Sequence, residues 1–226
     1  MKMKKQEFLK LESFMLDCMK DSAHDREHVY RVLHTALQIA EDFPEADGEI
    51  LLAACLLHDI GREAQYADPS VDHASAGAEM ALDFLLRPGW ERERAQRVAA
   101  AIHQHRYRSG AAPESVEAKI LFDADKLDVT GAMGIARTLQ YQGRLGYPLY
   151  HLDEKGCILL GEEDAEPSFF REYAVKLKKL YGRFYTEAGA KMAERRKETA
   201  KKFYAALLKE IQAASERERL SEYLEE

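Results

Sequence analysis

Apolar residues recur three and four positions apart along almost the whole chain, and no segment alternates convincingly between apolar and polar positions as a half-buried strand would. Val29, Val32, Leu33, Ala36, Leu37 and Ala40 make one helical stripe, and Ala76, Met80 and Phe84 begin another. The run from about Gly48 to Ile60 is apolar nearly all round, which predicts a central helix packed on several sides. GREAQYADPSVD after it reads as a loop, followed by helices over 73–86, stopped by Arg87-Pro88-Gly89, and over 91–105. RYRSGAAPES is a polar loop, and Pro113 followed by Glu114 and Glu117 suits a helix start with acid in its first turn. Residues 142–168 carry turn-formers and little periodicity, an irregular segment with a short hairpin expected near Lys155-Gly156. Pro167 opens a further helix, and from Thr186 onward a proline-free amphipathic pattern predicts a long helical tail. The pattern as a whole predicts an all-α fold. One domain is expected over 1–226, with a core at about 20–140, the irregular segment at about 141–167 and C-terminal helices at about 168–226.

Composition narrows the function classes. An apolar share of 46% in 226 residues supports a proper core, and a formal net charge of −7 argues against a protein that tracks nucleic-acid backbone. Cys18, Cys55 and Cys157 are widely spaced and form no CxxC, so neither a disulfide framework nor a thiolate metal site is expected. No run of apolar residues is long enough for a membrane span, and the N-terminal MKMKKQEFLKLESFM has no uninterrupted apolar stretch. A cytoplasmic protein without membrane or nucleic-acid partners is the expectation, its oligomeric state left open.

Polar groups with metal-binding chemistry interrupt the apolar pattern. His58 and Asp59 end the central apolar run; on a helix they point about 100° apart, so both reach one ion only near a helix end or in a wide coordination sphere. His28 and Arg31 are three apart, which places an imidazole and a phosphate-shaped guanidinium on one helix face. In FDADKLD the carboxylates Asp123, Asp125 and Asp128 crowd an otherwise apolar helix. Upstream, Asp25 suits an N-cap, with His24 or Asp25 as an alternative support for His28. His34, His103 and His151 read as structural. Tyr141, Arg144, Tyr147 and Tyr150 read as an aromatic loop packed on its own core, with stacking on a base as the alternative.

HDREHVYRV, LLHDIGRE and DADKLD together resemble the motifs of the HD-domain metal-dependent phosphohydrolases over roughly residues 20–140. The resemblance implies an HD-domain helical bundle with His28, His58, Asp59 and Asp125 as ligands of a divalent ion (Mn, Mg, Co, Ni, Fe or Zn), leaving coordination sites for water. Arg31 and Lys126 would neutralise phosphate charge. Some related phosphohydrolases carry a carboxylate three residues after the His-Asp doublet; here Arg62 stands there and reads as a phosphate contact. His73 and His105 fall where further histidines often occur, and a one-ion role, holding phosphate or protonating the leaving group, is expected. The stretch YAVKLKKLYGRFYTEAGAKMAERR resembles a bacterial subgroup that includes nucleoside triphosphate pyrophosphohydrolases, which implies that Tyr173, Lys176 and Tyr181 approach the phosphates. The implied reaction is cleavage of a nucleoside triphosphate to monophosphate and pyrophosphate. A phosphomonoesterase or phosphodiesterase on nucleoside monophosphates or signalling nucleotides, and a non-catalytic nucleotide-binding module, remain as alternatives.

Overall fold

The apolar segment forms α3 (Gly48–Leu57), capped by Asp47, whose carboxylate accepts from the amides of Glu49 at 3.0 Å and Ile50 at 3.3 Å. In the computed structural model, which describes residues 3–19, 26–87, 89–106 and 112–214, α3 is buried almost all round. Around it pack α1 (Lys5–Cys18), α2 (Arg26–Ala40), α6 (Arg92–Gln104) and α7 (Val116–Leu127). The order is completed by α4 (Arg62–Ala67), α5 (His73–Leu86), α8 (Gly131–Arg144), α9 (Phe169–Val175) with a 3₁₀ turn over Leu177–Gly182, and α10 (Glu187–Ala214). The all-α expectation holds: among the described residues the one β feature is an isolated antiparallel bridge, Leu152 to Ile158. No helix among them is long and apolar enough to cross a membrane.

The chain gathers into two compact units, Met1–Asp128 with Phe184–Lys191, and Val129–Arg183 with Met192–Glu226. Within the first, Asp72 caps α5 through the Ser75 amide (3.1 Å) and Ser115 caps α7 through the Ala118 amide (3.1 Å). The helix therefore starts after Ser115, beyond the start expected at Pro113, because the Ser115 hydroxyl satisfies an amide of the first turn, and of the two expected acids Glu117 lies in that turn. Asp123, fully buried on α7, accepts from the amides of Tyr185 (2.9 Å) and Thr186 (2.7 Å) and from the Thr186 hydroxyl (2.6 Å), which fixes the start of α10.

Three local patterns differ from expectation. On α2, Ile39 turns inward and Leu37 is 41% exposed, since a 3.6-residue period carries position 37 off the face set by Val29, Val32, Leu33 and Ala36. The segment after Gly61 winds into α4, its Arg-Glu-Ala-Gln run being composed of good helix formers. On α5 the inward face is Ala74, Gly77, Ala78, Ala81 and Leu85 instead of the larger Met80 and Phe84. The first turns of α5 lie directly on the turn after α3: a Cβ on Gly61 would stand 2.2 Å from the His73 carbonyl oxygen and 2.5 Å from the Gly77 nitrogen, which accounts for glycine at 61 and a small residue at 77.

The second unit is built on Ile135, Phe169, Phe170, Tyr173, Leu177 and Ala200, with Tyr204 stacked on Tyr173 at 4.2 Å. Its irregular stretch contains the expected hairpin, closed by the Asp153 amide donating to Cys157 O at 2.8 Å with Gly156 at φ 79°. Asp164 ties the stretch down by accepting from His151 Nδ1 (2.8 Å) and Ser168 Oγ (2.9 Å), and Ser168 in turn caps α9.

The Gly61 contact sets one expectation. Gly61→Ala should lower stability by about 1–3 kcal/mol or more, as overpacking against rigid backbone does, with the denaturant midpoint reporting it and α5 moving off the turn.

Candidate metal centre

The turns and helix ends of the first unit bring six imidazole and carboxylate groups together. Buried His28 stands in the first turn of α2, His58 is the C-cap of α3 and Asp59 follows it in the turn. His73 is the first residue of α5, His105 the C-cap of α6, and Asp125 lies in the last turn of α7. The end of α3 is what lets the doublet act as a unit, as the spacing requires. Nε2 of His28 lies 3.4 Å from Nε2 of His58, 3.3 Å from Asp125 Oδ1 and 3.6 Å from Asp59 Oδ2; Nε2 of His58 is 3.7 Å from the same Asp59 oxygen. The ligating atoms of His28, His58 and Asp125 fall within 4.8 Å of one another, and so do those of Asp59, His73 and His105.

Each histidine is oriented by a partner on its other nitrogen. Nδ1 of His58 lies 2.8 Å from the Cys55 carbonyl, that of His105 is bonded to the Ile102 carbonyl at 2.5 Å, and that of His73 lies 2.8 Å from Gln65 Oε1. Backbone carbonyls only accept, and so does an amide oxygen, so these three rings donate from Nδ1 and present an Nε2 lone pair inward. His28 has the one ionised acceptor: Nδ1 sits 2.7 Å from Asp128 Oδ2. Imidazole lone pairs and a carboxylate oxygen at 3.3–3.4 Å repel unless positive charge lies among them. The Nε2 of His73 is buried with no hydrogen-bond partner. The donor set therefore fits a divalent cation with nitrogen and oxygen preference.

Electrostatics agree. Burial alone would raise the pKa of Asp59, but the Arg62 guanidinium, Nε donating to Oδ1 at 2.9 Å, and the surrounding imidazoles hold it well below the usual carboxylate range. Asp125 is likewise held low against its burial by Lys126, 2.9 Å from Oδ2, and by His28. Both carboxylates are thus ionised at neutral pH. Burial pushes His73 down to about 3, with Arg62 adding to it, and His105 down to about 4, with His58 adding to it. Burial also works against protonation of His28, yet Asp125 and Asp128 outweigh it and its pKa is raised. A proton is drawn to the same point that suits a metal ion.

All of His28, His58, Asp59, Asp125, Arg62, His73 and His105 are thus gathered in one cluster, with Lys126 at its edge. Arg31 is turned onto Asp128, Nε donating to Oδ1 at 2.8 Å and a terminal nitrogen to Oδ2 at 3.1 Å. Tyr147 and Lys176 belong to the second unit, where Tyr147 is 40% exposed and Lys176 pairs with Glu172 at 2.5 Å. His24 and Asp25 lie outside the described residues. His34 is exposed, while His103 bonds the Ser75 hydroxyl at 3.3 Å. Two partners of the cluster escape the motif reading. Asp128 has a signal, three positions after Asp125 and so on the same helix face; Gln65 has none, because its segment reads as loop.

Comparison with known proteins bears on the same residues. A family model described as HD domain matches residues 26–130. The chain is 31% identical over 206 residues to YpgQ of Bacillus subtilis (strain 168), spanning 89% of this chain and 90% of that protein. The crystal structure of YpgQ in complex with ADP matches with a TM-score of 0.69, at 26% identity in the superposition, over 91% of this chain and 95% of that one. An HD-superfamily hydrolase from Bacillus thuringiensis matches with a TM-score of 0.70 and 29% identity, over 93% of this chain and 100% of that chain. A predicted HD superfamily hydrolase from an uncultured Thermotogales bacterium matches with a TM-score of 0.59 and 30% identity, over 91% and 92%.

The Asp128 contact generates a second expectation. Asp128→Asn keeps the shape but removes the charge behind His28, and divalent-ion affinity should fall roughly 10–100-fold, read by isothermal titration, with the helical circular-dichroism signal unchanged.

Proposed function

Since this chain belongs to the HD domain family of metal-dependent phosphohydrolases, we propose that it cleaves the α–β phosphoanhydride of a nucleoside triphosphate, releasing monophosphate and pyrophosphate. The observation that carries the reading is the meeting of His28, His58, Asp59 and Asp125, two imidazole nitrogens and two ionised carboxylates, within a few ångströms. YpgQ, the relative crystallised with ADP, supports a nucleotide as the substrate class.

A divalent ion held by these four residues would supply a Lewis acid that polarises a phosphoryl oxygen and lowers the pKa of water. The chain's own groups do the rest. Asp128 and the Cys55 carbonyl fix the tautomers and ring planes of His28 and His58. Arg62 and Lys126, with side chains 28% and 17% exposed, stand beside Asp59 and Asp125 and offer positive charge to phosphate oxygens. Arg31, 30% exposed, holds Asp128 and adds a third positive group at the same edge.

His73 and His105 are neutral in the protein alone, so they cannot begin as acids. An arriving phosphate brings the negative charge that raises their affinity for a proton; an imidazole that takes one up from solvent as the substrate binds can then pass it to the departing pyrophosphate. Proton transfer would thereby be tied to substrate binding.

The reading is tested by incubating the purified chain with a panel of nucleoside tri-, di- and monophosphates in the presence of Mn²⁺, Mg²⁺ or Co²⁺ and separating the products. Pyrophosphate with monophosphate is expected. Orthophosphate released from monophosphates would make it a phosphomonoesterase, and tight binding without products a nucleotide-binding module. His58→Ala should remove bound metal and turnover together; turnover that survives it would place the chemistry elsewhere.

A further inference from the structure

Asp59 is shared between two pairs of histidines, and its two oxygens are in different circumstances. Oδ2 faces His28 and His58, at 3.6 and 3.7 Å from their Nε2 atoms. Oδ1 faces His73 and His105, at 3.6 and 3.8 Å. By donor type the second set is as good a cation site as the first: Asp59, His73 and His105 are all buried, their ligating atoms lie within 4.8 Å of one another, and the Nε2 of His73 has no hydrogen-bond partner among the described residues.

Arg62 breaks this near-symmetry. Its Nε donates at 2.9 Å to Asp59 Oδ1, the oxygen that faces the second pair. Lys126 neutralises Asp125 in a different way: it takes Oδ2, while Oδ1 remains directed at His28 Nε2. One donor set thus has its carboxylate oxygen turned to the imidazoles, and the other has a fixed cation on that oxygen. The guanidinium stays protonated at any working pH, so the charge on this oxygen is permanent. A divalent ion seated between Asp59 Oδ1, His73 and His105 would face that charge across a few ångströms of buried, low-dielectric protein.

We propose that Arg62 sets the metal count of this centre at one, its guanidinium serving as a built-in cation that keeps the Asp59–His73–His105 set for phosphate oxygen. The inference rests on the reading above that the His28–His58–Asp125 side holds an ion. It makes position 62 a determinant of metal stoichiometry as well as a phosphate contact. A neutral residue there leaves a buried carboxylate oxygen facing two imidazole lone pairs, and that arrangement takes up a second ion.

The experiment counts metal. Wild type and variants are stripped with chelator, equilibrated with Mn²⁺ and measured by elemental analysis and electron paramagnetic resonance, with circular dichroism to confirm folding. Wild type should hold one ion per chain, and Arg62→Gln and Arg62→Met two, with the spectrum of an exchange-coupled pair. Arg62→Lys, which keeps the charge, should hold one, and Arg62→Gln combined with His73→Ala should return to one. Two ions in the wild type, or one in both neutral variants, would overturn the inference while leaving the first donor set intact. No ion in the wild type would overturn that first assignment and the inference together.

Discussion

Two ionised carboxylates, Asp59 and Asp125, sit among four buried imidazoles, and that placement is the constraint from which the rest of the first unit follows. Buried negative charge in a protein interior is costly unless it is compensated nearby. Here compensation comes in two forms: fixed cations on one side of each carboxylate, Arg62 and Lys126, and a set of nitrogen lone pairs on the other that invites a metal ion. The helices are arranged so that both forms arrive at once. Five of the six groups stand in the terminal turn or at the cap of a helix and Asp59 in the turn after α3, where a side chain can point into a shared space without a neighbouring turn in the way.

Such convergence needs close backbone approach, and small residues supply it. Gly61 and Gly77 let the start of α5 rest on the turn that carries Asp59, so His73 enters the cluster from a direction that a bulkier contact would forbid. The rest of the inward face of α5 is mostly alanine, and α5 packs on α6. The large apolar residues are concentrated instead on α3 and the helices packed around it, which gives the site a stiff floor.

The motif residues are legible in the sequence because chemistry forced them into places that helical periodicity would otherwise fill with apolar side chains. His58 and Asp59 interrupt the apolar run of α3, and FDADKLD puts three carboxylates on one helix. The helical class is legible for the same reason, since periodicity is a property of consecutive residues. The acceptors behind the imidazoles are harder to read. Those for His58 and His105 are the carbonyls of Cys55 and Ile102, which any residue would provide, and Gln65 becomes a partner only because α4 forms where the composition reads as loop. The choice of Ile39 over Leu37 on α2 is a matter of a small rotation of the helix, finer than a stripe of apolar residues can define.

The two remaining acidic residues of FDADKLD divide the labour differently. Asp128 supports His28, whereas Asp123 faces the other way and receives the amides of Tyr185 and Thr186. The unit that carries the metal-binding groups is consequently discontinuous in sequence, since residues 184–191 return to it after the whole of 129–183 has been laid down. During synthesis the ribosome delivers every catalytic candidate of that unit, the last of them at Lys126, some sixty residues before the backbone amides that satisfy Asp123, so a unit begun early in the chain is completed only after the second unit's first stretch has emerged.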